Sequence, residues 1–271
     1  MRKIFSLVLM MMCLLLGTVT VFANPYGGSH TFPAGMSPVQ ALQYFHHKIT
    51  DRDFGLAYDI LTDSYKNYFG SYDNFAKGYA TTLFSRPESI RVIAEAETAV
   101  KLAYTLRATD WEGDTDVVEQ TFECTAMMKD VDGSWMLENG TGKLVSRQVL
   151  HSRQAAAAVL KGYHDSITHK EMKAAWNLLG DNYKNSFGGF AAFCNGFTTT
   201  ASSAISEATP VADGPNMTAL AYTLTAKDVT PETNVVQVFK GQAEMEVVPG
   251  RGWRIMSARN TLVNRYFPPK W

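Results

Sequence analysis

The chain has 271 residues, with 25 Lys and Arg against 26 Asp and Glu and a formal charge of −1. No basic stripe runs through it, which speaks against nucleic acid as a partner. Its apolar fraction of 46% is that of an ordinary globular protein, and its length allows one or two domains.

Arg2 and Lys3 are followed by the apolar run IFSLVLMMMCLLLG and by TVTVFA, which ends in Val21, Phe22 and Ala23. This pattern predicts a signal peptide over residues 1–23, cut before Asn24, and an exported chain, periplasmic or extracellular. The apolar run falls short of the roughly 20 residues that span a bilayer, so no stable membrane span is expected after cleavage. Cys13 lies inside the run without the small residues that precede a lipidated cysteine. Residues 24–36, NPYGGSHTFPAGM, read as a Pro/Gly linker.

From Pro38 the sequence takes a helical period. Ala41, Leu42, Phe45 and Ile49 form one stripe, Ser37 is a suitable N-cap, and Pro38 suits the first turn. A second helix is expected from about Asp53, burying Phe54, Ala57, Tyr58 and Leu61, and a third from about Tyr72, burying Phe75. The phrase SYKNYFGSYDNFAKGYATT, residues 64–82, is then the joint between helices two and three, with Gly70 in a turn conformation that a side chain resists. After Pro87 the period becomes two. Ile90, Val92 and Ala94 are expected inward on a first strand, Leu102, Tyr104 and Leu106 on a second, and Val118, Gln120, Phe122, Cys124, Ala126 and Met128 on a third. Asp132-Gly133 signals a hairpin turn, and Trp135 and Leu137 point inward on the last strand.

The whole pattern then repeats. A shift of 118 residues maps Leu42, His46, Thr50, Asp63, Tyr65, Lys66, Gly70 and Phe75 onto Leu160, His164, Thr168, Asp181, Tyr183, Lys184, Gly188 and Phe193. LAYTL at 102–106 recurs at 220–224, and Trp135 recurs as Trp253. A shift of 117 maps Gln120 onto Gln237 and Cys124 onto Gly241, so the second copy loses one residue in a loop and regains it in the next. The predicted fold class is α+β: two tandem units, 37–147 and 153–265, each three helices on a curved antiparallel sheet, with a tail at 266–271. Two cysteines follow the signal peptide, Cys124 and Cys194, at non-equivalent positions, and buried thiols are expected rather than a disulfide.

Helices first, a four-stranded meander second, a Trp opening the last strand, and the phrase LTDSYKNYFGSYDNFAKGYATT together resemble the nuclear transport factor 2-like superfamily, in its exported bacterial tandem form. The resemblance covers nearly all of 37–147 and 153–265. It implies a cone-shaped unit with a pocket between helices and sheet, and it leaves function open, since such folds host isomerases, dehydratases, transport adaptors and binding modules.

Inward polar positions are the candidates for that pocket. Gln120 and Gln237 carry the same amide in both copies; Tyr104 and Tyr222 lie on a neighbouring strand, and Tyr65 and Tyr183 on the joint above. These six suit a small apolar or amphipathic ligand, or else satisfy buried backbone groups. His46 and His164 are expected at the rim or in solvent, and Asp63 and Asp181 as caps of the turn that follows them. The cluster DWEGDTD, residues 110–116, lacks the later glutamate of a calcium loop and reads as a solvated hairpin tip. No cofactor, metal site or catalytic residue is expected. The leading expectation is an exported, non-catalytic binding module for a small ligand or an envelope protein, with the two copies acting as an internal pseudo-dimer in a monomer. The alternatives are a small-molecule isomerase, dehydratase or hydrolase using the histidines or aspartates, and a structural accessory domain of a cell-wall enzyme.

Overall fold

The computed structural model describes residues 35–214 and 216–269. The expected signal peptide, with Cys13, most of the linker, and Lys270 and Trp271 of the tail lie outside the described residues. The chain divides into two compact units. One runs to Ala108 and resumes over Gln120–Arg147; the other takes in Thr109–Glu119 and continues from Gln148.

The first unit begins with α1 (Pro38–Thr50), α2 (Phe54–Asp59), α3 (Asp63–Phe69) and α4 (Tyr72–Gly78). Four strands follow: β1 (Thr82–Ala96), β2 (Ala99–Glu112), β3 (Asp116–Val131) and β4 (Ser134–Leu150), side by side in that order. The second unit repeats the plan with α5 (Arg153–Thr168), α6 (Met172–Asn177), α7 (Asp181–Ser186) and α8 (Phe190–Gly196). Its sheet contains β5 (Thr200–Ile205), β6 (Thr209–Gly214), β7 (Met217–Val229), β8 (Asn234–Val248) and β9 (Gly252–Tyr266). Its order is β5-β7-β8-β9, with β6 also pairing β7. The class is α+β.

Local chemistry explains most boundaries. Ser37 caps α1 through a full capping box with Gln40, and Pro38 occupies the first turn. Ala41, Leu42, Phe45 and Ile49 are buried as one stripe. Asp132 and Gly133 both have positive φ, 52° and 81°, the geometry of a tight hairpin turn. Leu61 and Leu179 leave their helices and bridge Leu137 and Ile255, so each helical layer is stitched to its sheet at the same place.

The structure departs from the expectations at several places. The third expected helix does start at Tyr72, but residues 63–69 of the joint phrase are helical as well, so among the described residues each unit has four helices rather than three. Thr62 accepts from Tyr65 N, Ser71 accepts from Asn74 N, and Gly70 turns the chain between α3 and α4 at φ 72°. Gly188 repeats that turn at φ 75°. The caps are therefore Thr62 and Ser71 and not Asp63, which lies in the first turn of α3 and is exposed. Asp181 follows Gly180, which has no side chain to cap with, and pairs instead with Arg251 at 3.1 Å. Finally, β1 starts at Thr82, five residues before the change of period. Thr82, Phe84 and Ser85 are its buried part, and Val92 and Ala94 are exposed. Helix α1 meets β1 at Ser85, whereas every residue of β1 from Arg91 on is exposed, so alternation there reflects pleat without burial.

The core of each unit is largely aliphatic and contains one aromatic cluster. Phe75 is fully buried, with Phe45, Tyr58, Phe69 and Tyr79 around it at ring-centroid distances of 5.1–6.4 Å. Phe193 occupies the equivalent position, ringed by Trp176, Phe187, Phe190 and Phe197.

In the second unit the hairpin tip is held firmly. The Trp253 indole donates to Thr115 O at 2.9 Å, and a Cβ on Gly252, whose φ is 70°, would meet the Trp111 ring at 2.7 Å. Asp116 accepts from Ser152 N at 3.2 Å and lies 2.7 Å from His151 Nδ1. Asp110 is buried. The flanks of the hairpin, Asp110, Trp111 and Asp116, are thus packed on that unit, while Gly113, Asp114 and Thr115 at the turn are exposed, so the expected solvated tip is confined to the turn itself.

Candidate functional site

The elements just described bring a polar cluster into the interior of each unit. It starts where the first helix meets the first strand. His46 and Ser85 are both buried, and His46 Nδ1 lies 2.8 Å from Ser85 Oγ. One turn further along α1, the Thr50 hydroxyl donates to Ser85 O at 3.2 Å and accepts from Ser85 N at 2.9 Å. The second unit repeats every contact: His164 Nδ1 to Ser203 Oγ at 2.8 Å, Thr168 Oγ1 to Ser203 O at 3.0 Å, and Ser203 N to Thr168 Oγ1 at 2.8 Å. A cation closes each clamp. Arg52 donates to the carbonyls of Thr82 and Ala80, and Lys170 to those of Phe197 and Thr200. Both cations sit at left-handed φ, 61° and 59°.

Both histidines therefore belong to the interior, against the expectation of rim or solvated positions. His46 has a partner at each ring nitrogen, Ser85 at Nδ1 and Tyr104 at Nε2, and His164 has Ser203 at Nδ1, which offsets the usual cost of burying a polar group. Desolvation lowers the His46 pKa to about 3 and the His164 pKa to about 4, the neighbouring Asp165 pulling the latter slightly back. Both rings are neutral in the folded state at ordinary pH.

The tyrosines extend the cluster. His46 Nε2 lies 3.4 Å from the Tyr104 hydroxyl, and the Tyr104 hydroxyl is bonded to the Cys124 thiol. Burial, Cys124 and the neighbouring Tyr79 and Tyr65 phenols raise the Tyr104 pKa well above its usual value. Burial pushes Tyr65 up to about 12, with a backbone hydrogen bond to Gly140 opposing it. In the second unit, Tyr222 donates to Asn260 Oδ1 at 3.2 Å, and Tyr183 is bonded to the Ala258 backbone. Tyr163 stands close to Tyr183 and Tyr222 and is raised chiefly by burial. Each unit thus holds three neighbouring phenols beside one histidine: Tyr65, Tyr79 and Tyr104 with His46, and Tyr183, Tyr163 and Tyr222 with His164.

Two reciprocal exchanges relate these clusters. The shift of 118 maps Phe45 onto Tyr163 and Tyr79 onto Phe197, so the third phenol comes from α4's end in one unit and from α5 in the other. Phe45 and Tyr79 are in ring contact at 6.3 Å, so the hydroxyl crosses from one face of a packed pair to the other. The partner of the strand tyrosine changes strands in the same way. Cys124 of β3 serves Tyr104, whereas β8 has Gly241 there and β9 supplies Asn260 opposite it. The Tyr222 ring and Asn260 fill the space of the missing side chain: a Cβ on Gly241 would lie 2.3 Å from Tyr222 Cε2 and 2.6 Å from Asn260 Oδ1. Gly241→Ala is expected to destabilise the chain by about 2 kcal/mol or more through overpacking, read as a drop in denaturant midpoint with unchanged m-value.

Of the six residues singled out in the sequence, the four tyrosines come together in two pairs, Tyr65 with Tyr104 and Tyr183 with Tyr222. The glutamines do not join them. Gln120 is buried, but it lies four residues along β3 from Cys124, about 13 Å at the rise of a strand. Gln237 lies equally far from Gly241, is half-buried, and sits against Arg265, its partner across β8 and β9. Ser85, Tyr79 and Tyr163 were not singled out. The recurrence of Ser85 as Ser203 at the common shift was a usable signal; the Phe–Tyr exchange becomes meaningful only once the rings are known to touch. Cys124 is buried and its thiol pushed up to about 11 by desolvation, whereas Cys194 is only half-buried, which corrects that part of the thiol expectation. Both are free. Among the described residues, no group of three or more His, Cys, Asp and Glu is placed to hold a metal ion, and no helix is long and apolar enough to cross a membrane.

No protein-family model matches the chain, and no curated protein matches it. Among solved structures, it is similar to a crystal structure described as a cystatin-like protein from Ruminococcus gnavus, at 8% identity and a TM-score of 0.28, over 81% of this chain and 88% of that one.

Proposed function

We propose that the chain is an exported, non-catalytic binding module with two nuclear transport factor 2-like repeats. In this reading each interior cluster holds its unit together, and recognition of an envelope partner protein takes place on the outside. The observation that carries it is the pair of reciprocal exchanges. A bound substrate fixes where each polar group must project from, so a shared ligand site keeps its donors on the same strands. A structural cluster needs only that the hydroxyl and its partner be present, from whichever side. Phe45/Tyr79 against Tyr163/Phe197, and Cys124 against Asn260, follow the second pattern. The distance between the glutamines and the tyrosines supports the same reading, since convergence of polar groups is what a small-ligand pocket requires.

An enzymatic reading draws on one observation, the 2.8 Å His–Ser contact present twice. Both members are buried, and a histidine with a pKa near 3 or 4 is a weak base for attack by a hydroxyl.

The test is a thermal-shift series on the chain from Asn24 onward with fatty acids, muropeptides, sugars and sterol-like compounds, beside the Gln120→Leu/Gln237→Leu variant. A flat response in both proteins is expected. A compound that raises the melting temperature of the wild type and leaves the variant unmoved returns the function to small-ligand binding around those amides.

A further inference from the structure

Each sheet has two outer edges, β1 and β4 in the first and β5 with β6 against β9 in the second, and four short segments on them are related in a way that neither the core nor the clusters explain. The segments on β1 and β6 each end in an acid, and those on β4 and β9 each end in an arginine. On β1, Val92-Ile93-Ala94-Glu95 is exposed throughout; on β6, Pro210-Val211-Ala212-Asp213 is its equivalent at a shift of 118 and is also exposed. On β4, Leu144-Val145-Ser146-Arg147 is exposed; on β9, Leu262-Val263-Asn264-Arg265 repeats it, exposed again. One pair of edges places an acid two residues after an apolar residue, and the other pair places an arginine there. Val92, Ile93, Leu144, Val145, Val211, Leu262 and Val263 are all among the large apolar side chains left open to solvent.

An outer strand presents unpaired backbone groups and is a ready template for another strand. We infer that these edges join two copies of this chain, β1 of one molecule lying parallel beside β9 of the next. In that alignment Val92 lies beside Leu262, Ile93 beside Val263, and Glu95 beside Arg265. Arg91 falls beside the neutral Thr261. The two other combinations are worse. Against β4 the same alignment sets Arg91 beside Lys143, a like-charge contact. As the acidic edge, β6 carries Pro210, which has no N–H to offer an added strand. The apolar pairs supply burial and the flanking charges set direction and register, as in other strand-addition interfaces. The contact is heterologous, a β1 surface against a β9 surface, so the copy that gives β1 retains an open β9, the copy that gives β9 retains an open β1, and association continues beyond a dimer unless the rotation closes a ring. This goes beyond the proposed partner binding, and it replaces the sequence-based expectation of a monomer.

Sedimentation velocity on the chain from Asn24 onward tests it, over a range of protein concentrations at low and high salt. The wild type is expected to form oligomers larger than a dimer as concentration rises. Glu95→Arg and Arg265→Glu are each expected to weaken association roughly tenfold or more, by placing like charges across the interface. Circular dichroism should be unchanged in both variants, since both positions are exposed, and Arg265→Glu gives up only the cross-strand contact with Gln237. The decisive protein carries Glu95→Arg and Arg265→Glu together, which restores an opposite-charge pair between copies and should recover wild-type association. A wild type that stays monomeric at every concentration overturns the proposal. So does association indifferent to both single reversals, or a double variant no better than the singles.

Discussion

Lowering the pH from 7 to 4 is expected to remove about 3 kcal/mol of stability from each unit, through one buried histidine in each. The sign follows from which state binds the proton. In the unfolded chain His46 and His164 titrate near the ordinary 6.5; folded, desolvation holds them to about 3 and about 4. Between those values the unfolded state carries the extra proton, so stability is fully present above pH 6.5 and is lost as pH falls toward the folded values. The groups facing each ring do not offset this. His46 meets the hydroxyls of Ser85 and Tyr104, and His164 meets Ser203, with the charge of Asp165 favouring its protonated form but outweighed by desolvation. Urea unfolding at stepped pH measures the slope, which approaches about 1.4 kcal/mol per pH unit for each histidine. His46→Asn keeps an amide near Ser85 and cannot take up that proton, so it should flatten the slope by one proton. A slope unchanged in that variant would mean that His46 is not the titrating group.

Trp253→Ala is expected to cost about 3–5 kcal/mol, the largest single loss from an interior site. Trp253 is only 1% exposed, and its N–H is bonded to the carbonyl of Thr115 at the hairpin tip. Truncation leaves a cavity and an acceptor without its donor. Trp253→Phe retains most of the volume and should cost less, the remainder reporting the lost hydrogen bond. The tip itself should feel the change. Trp111 packs against Gly252 and lies 5.9 Å beneath the Arg254 guanidinium, so Trp253→Ala should raise amide exchange over residues 109–119 as well as in β9. An effect confined to β9 would show that the tip is held by Trp111 and Asp116 alone.

Much of this architecture is written in local chemistry. The capping box at Ser37, the Asp132-Gly133 turn and the left-handed Gly70 and Gly188 each depend on a few neighbouring residues, and each is where the sequence placed it. Residues 63–69 are helical although the phrase reads as a connection; Thr62 caps them just as Ser71 caps the expected helix at Tyr72. The inward parity of β2 and β3 was also legible, because a strand covered on one face must alternate.

What the sequence by itself determined is the duplication, the order of helices before strands, and the α+β class. These rest on periodicity, turn residues and self-similarity, all properties of the chain read along its length. The tertiary structure alone decided that His46 and His164 are interior, that Gln120 and Gln237 stand apart from the tyrosines, and that residues 109–119 belong with the second unit. The reason is that a polar side chain is buried only if a partner reaches it, and here the partners come from 39 residues away for each histidine. Asn260 can replace Cys124 because β9 runs opposite Gly241, a relation between strands that no reading of either strand alone contains.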